Sequence, residues 1–148
     1  MLKTAAVLVT AVVAVTGLAG CGGDDPYCAA VKDNVTTLKT FGDNKTDAGY
    51  AKYAEAIRAI ATTAPDGIKD DWSKLGSVTD GVIKAQKKAG IRLQDMADSA
   101  KVEKLDSDDL ATLNKAYETF VDTASQRTAI VKDVEATCDV SLEPDKEK

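Results

Sequence analysis

The sequence predicts an all-α protein, an antiparallel four-helix bundle, on three observations. Apolar residues recur at spacings of three and four in four separate segments, the signature of one buried face per helix. Short stretches rich in glycine, proline and aspartate separate those segments, and these residue types end helices. Nothing from residue 22 to 148 shows the alternation of a half-buried strand.

The first element lies outside the bundle. Lys3 is the only charge among residues 1–20, and residues 4–20 are 17 uncharged positions ending in small side chains. A charged start, an apolar middle and a small-residue close predict a cleaved secretory signal. A spanning helix takes roughly 20 strongly apolar residues, so permanent insertion is the weaker reading.

Leu18-Ala19-Gly20-Cys21 closes this run and resembles the lipobox of bacterial lipoproteins. The resemblance implies a diacylglyceryl group on the Cys21 sulfur, removal of residues 1–20, and attachment at the extracytoplasmic face of the cell membrane. An ordinary signal peptide with an incidental cysteine is the competing reading. Two acyl chains hold stably, since each buried methylene contributes about 0.8 kcal/mol. Residues 21–25 form the anchor and tether; Gly22 to Asp25 reach about 14 Å at roughly 3.5 Å per residue, which sets the domain against the bilayer.

The chain has three cysteines. If Cys21 carries lipid, Cys28 and Cys138 remain as an even pair, which outside the cytoplasm is expected to oxidise; two buried free thiols are the alternative. Cleavage leaves 128 residues with 18 basic and 24 acidic side chains, a net charge of −6. Such a domain is repelled by phosphate backbones, so nucleic acid is not an expected partner.

Asp25-Pro26 predicts the start of helix one, a cap followed by a proline suited to the first helical position. Cys28, Val31, Val35 and Leu38 share its apolar face, and Gly42-Asp43-Asn44 ends it. Helix two is predicted from about Asp47 to Ala64, with Tyr50, Tyr53, Ile57 and Ile60 on its apolar side. Pro65 separates it from helix three, which runs to about Lys88 through Ile68, Trp72, Leu75, Thr79 and Val82 or Ile83. Gly76 and Gly81 fall inside this helix, each at a cost of up to about 1 kcal/mol relative to alanine. Residues 89–106 read as a crossover with an extra turn around Leu93 to Ala97.

Helix four is predicted as one element of about eight turns, capped by Asp106 or Ser107. Its stripe runs through Leu110, Leu113, Tyr117, Phe120, Ala124, Val131, Val134 and Cys138. The bundle thus covers residues 26–142, and residues 143–148 are expected to be a flexible tail. Up-down-up-down packing brings the start of helix one and the end of helix four to the same end, where Cys28 and Cys138 fall. The expected bundle is therefore closed by a Cys28–Cys138 disulfide.

The chain has no histidine, which removes serine–histidine–acid catalysis and histidine-ligated zinc; no metal site or cofactor is expected. Asp70-Asp71 and Asp106 to Asp109 read as helix-start acids rather than facing acid/base couples. With Asn44 as the first position of a calcium loop, Gly49 falls at the sixth and Glu55 at the twelfth, but Asn44 replaces the usual aspartate and Ala48 stands where an oxygen ligand belongs. The aromatic residues Tyr50, Tyr53, Trp72, Tyr117 and Phe120 read mostly as core. Trp72, just after Asp70-Asp71, is the candidate to line the mouth of a ligand cleft.

The early cysteine after a lipobox, the segment APDGIKDDW and the late cysteine together resemble small helical lipoproteins of actinobacteria, which implies location and fold but no activity. The expected function is a lipid-anchored, non-enzymatic module binding an envelope protein or a small apolar ligand. The alternative is a carboxylate-dependent enzyme at the cell envelope.

Overall fold

Asp25 caps the first helix by accepting the Tyr27 N–H at 2.8 Å, and Pro26 takes the first helical position. The computed structural model describes residues 25–143 apart from 42 and 44; Cys21, the leader and the tail from residue 144 lie outside the described residues. Every regular element among them is helical: α1 Pro26–Lys39, α2 Asp47–Thr63, α3 Asp66–Ala89, a 3-10 turn Leu93–Asp95, α4 Ser99–Val102, α5 Ser107–Val121 and α6 Ala124–Cys138.

Thr46 caps α2 by accepting the Gly49 N–H, and Pro65 both ends that helix and starts α3. Gly76 and Gly81 leave α3 unbroken. At Gly76 the missing side chain is what allows close approach, because an added Cβ would stand 3.3 Å from Ile57 Cγ2 on α2. Gly90 ends α3 with φ of 65°, a conformation glycine adopts without Cβ strain.

The crossover is more structured than the sequence indicates. Asp47 accepts the Leu93 N–H at 2.7 Å while its own N–H donates to Gln94 Oε1. Asp95 takes Arg92 and Lys101 at 2.7 and 2.6 Å, which fastens the 3-10 turn to α4.

Helix four divides in two. The Phe120 carbonyl receives the Thr123 N–H at 3.1 Å, the Thr123 hydroxyl at 2.6 Å and Arg127 Nη1 at 2.9 Å. These donors tighten the chain at Asp122-Thr123 and separate α5 from α6, as hydroxyl groups bonding back to carbonyls do. The two pieces form one column beside α3, α5 along its C-terminal half and α6 along its N-terminal half. With α1 and α2 they complete an antiparallel four-column bundle.

The main core gathers Tyr27, Val31, Ile57, Ile60, Trp72 and Val134 around the start of α1. A smaller cluster of Ala85, Ile91 and Leu113, roofed by Met96, Val102 and Leu105, lies at the far end under the crossover. Cys28 and Cys138 form the expected disulfide, with Cα atoms 5.1 Å apart.

Candidate functional site

The disulfide end is internally committed. The Trp72 indole N–H donates to the Tyr27 hydroxyl at 3.2 Å, and that hydroxyl donates to Asp133 Oδ2 at 2.7 Å. This chain ties α3, α1 and α6 together beside the Cys28–Cys138 bond. Trp72 is 1% exposed, so only its edge reaches the shallow groove over Gly76, where Arg58 and Asp80 pair at 2.6 Å.

A second cluster holds the middle of the bundle. Phe41 stacks on Tyr53 at 3.7 Å and lies 5.1 Å from Tyr50 and 5.8 Å from Phe120. The Arg127 guanidinium sits over the Phe120 ring, 5.2 Å from its centroid. Burial, first of all, raises the hydroxyls of Tyr27, Tyr50, Tyr53 and Tyr117 above their ordinary range. Tyr117 receives Gln86 Nε2 at 2.9 Å, while the buried Tyr50 hydroxyl has no hydrogen-bond partner among the described residues.

Two open grooves lie beside α5. Between α3 and α5 runs a furrow of about 360 Å³, floored by Gly81, Ala85 and Ala116 and edged by Lys84, Lys88 and Lys115. Lys88 is held by Asp109 at 3.1 Å; Lys84 and Lys115 have no ion-pair partner among the described residues. On the other flank Asn114, Tyr117, Glu118, Val121 and Asp122 border a groove of similar size, where Val121 is 63% exposed.

The sequence-derived candidates are distributed as follows. Cys28 and Cys138 meet, Cys21 lies outside the described residues, and Trp72 is inside the core rather than at a cleft mouth. Asp106 caps α5 by accepting the Asp108 N–H at 2.8 Å, with Asp108 and Asp109 in the first turn. Asp70 and Asp71 sit near the start of α3, with no ion-pair partner among the described residues. From Asp47 onward the calcium-loop candidate is helix α2, so Gly49 and Glu55 cannot wrap a cation as a loop does. Glu118 and Asp122 share a groove but come from one helix. Among the described residues no group of three or more potential metal ligands assembles.

Sequence reading passed over Phe41, Arg127 and the two flanks of α5. Phe41 stands beside the Gly42-Asp43 break and looks like loop; Arg127 looks like solvated surface. The exposed Lys115, Glu118, Val121 and Asp122 were legible in the sequence, since none of them lies on the apolar stripe.

No protein-family model matches the chain, no curated protein matches it, and no solved structure matches it.

Proposed function

We propose that this protein is a lipid-anchored, non-enzymatic interaction module at the extracytoplasmic face of the cell membrane, offering the sides of its bundle to an envelope protein. The carrying observation is the covalent closure of the end at which the chain enters. Cys28 lies three residues after the cap Asp25 and is bonded to Cys138, so strain transmitted from a tether at Cys21 reaches two helices at once.

The open surfaces favour a protein over a small ligand. Small molecules are held in concave sites that cover most of their surface, whereas the furrows beside α5 are open along their length. The aromatic side chains that could line an internal site are already packed on one another.

The test is metabolic labelling with palmitate, followed by membrane fractionation of the full chain and of Cys21→Ser. Labelled chain in the membrane fraction, with the variant unlabelled and released, is the expected result. Equal membrane association of both, with no label in either, would refute the anchor.

A further inference from the structure

We propose that Met96 is a site of reversible oxidation by peroxides, and that its sulfoxide releases the crossover from the bundle and uncovers the smaller core cluster. Met1 and Met96 are the two methionines of the chain, and Met96 is the one in the bundle. The bundle's cysteine sulfurs, Cys28 and Cys138, are already joined to each other, so a mild oxidant meets a single thioether there. Met96 follows the 3-10 turn and is half-buried, packed against the cluster of Ala85, Ile91 and Leu113.

The segment that carries Met96 is held by little. The backbone N–H groups of Asp95, Met96, Asp98 and Lys101 to Leu105 donate to carbonyls of the segment itself. Two hydrogen bonds, both to Asp47 at 2.7 and 3.2 Å, join it to α2. The ion pairs of Asp95 with Arg92 and Lys101 close within it, and no residue from 92 to 106 is buried. Its apolar hold on the cluster is Met96, Val102 and Leu105. A segment with few buried contacts and solvent-exposed hydrogen bonds opens locally while the rest of a domain stays folded.

The step moves one oxygen atom. The Met96 sulfur attacks a peroxide oxygen, an S–O bond forms and the O–O bond breaks; the departing hydroxide takes the proton of the transferred oxygen and leaves as water. The thioether loses two electrons and the peroxide gains them. The sulfoxide is polar, and the side chains of Ala85, Ile91 and Leu113 offer it no hydrogen bond, so keeping it on the cluster costs free energy. It turns to water, and the roof loses one of its three apolar contacts. The main core around Tyr27, Trp72 and Val134 is a separate cluster, so the four columns stay packed.

The test exposes the full chain, disulfide intact, to hydrogen peroxide and reads peptide masses and amide hydrogen exchange. One oxygen should be added at Met96, and the amides of Met96 and of Lys101 to Leu105 should exchange about tenfold faster, while those of Ile57, Ile60 and Val134 keep their rates. Treatment with methionine sulfoxide reductases for both epimers should restore slow exchange. Met96→Leu should keep slow exchange in peroxide, and Met96→Gln should show fast exchange without it, the core amides being unchanged in both. Oxidation at Met96 without faster exchange in the segment, acceleration spread equally over the core amides, or the same response from Met96→Leu would overturn the proposal. So would a Met96 that resists peroxide at concentrations that oxidise free methionine in the same solution. None of these readings depends on an anchor at Cys21.

Discussion

Tyr27→Phe removes one hydroxyl that serves two partners, and the structure assigns each a different cost. The Trp72 N–H, in a side chain 1% exposed, loses its acceptor at 3.2 Å, and an unsatisfied buried donor costs about 1–3 kcal/mol. Asp133 loses a donor at 2.7 Å, but it is half-buried and water can replace the hydroxyl, so this part contributes about 1 kcal/mol. The substitution should therefore destabilise by about 2–4 kcal/mol, a large share of the roughly 5–15 kcal/mol that holds a domain. Asp133→Ala removes the second bond and opens the half-buried position of Asp133 so that water can accept from the Tyr27 hydroxyl, and should cost about 1 kcal/mol. Urea unfolding of the disulfide-bonded domain, followed by its one tryptophan, measures both, and the slopes should match that of the wild type. If Tyr27→Phe costs no more than Asp133→Ala, the Trp72 N–H is satisfied some other way and the reasoning fails.

Three further outcomes are expected. Burial pushes the Tyr53 hydroxyl up to about 12 from its ordinary 10, and Tyr27, Tyr50 and Tyr117 shift the same way. The folded state thus keeps protons that the unfolded chain gives up; stability is complete below pH 10 and falls as pH rises toward 12. Tyrosinate absorbance should appear together with loss of helical circular dichroism, and titration with the helices intact would contradict this. Gly81→Ala meets nothing within 4 Å and should stabilise by up to about 1 kcal/mol, whereas Gly76→Ala presses on Ile57 at 3.3 Å and should lose that gain; equal melting shifts for the two would refute the tight α2–α3 contact. Reducing the disulfide, which closes a separation of 110 residues, should cost up to about 4.7 kcal/mol in the chain-entropy account and lower the melting temperature while helicity survives; an unchanged melting curve would count against a stabilising role.

By itself the sequence determined the helical class, three of the four columns nearly to the residue, and the meeting of Cys28 with Cys138. Each follows from local signals: a 3.6-residue apolar period, capping chemistry at Asp25-Pro26 and Pro65, and up-down packing that returns the fourth column to the first. The tertiary structure alone decided three other matters. The break at Asp122-Thr123 follows from Arg127 and the Thr123 hydroxyl converging on the Phe120 carbonyl; beyond Phe120 it buries Thr123 and Ile130, where the periodicity pointed to Ala124 and Val131, and leaves Ala124 exposed. Trp72 lies inside because Tyr27, 45 positions earlier in the chain, brings the oxygen its N–H needs. The Val121 side of α5 became a surface because α1 packs mainly on α2 and α6. Helix period is set by neighbours along the chain; which polar group finds which partner, and which face stays uncovered, depends on residues that meet only after folding.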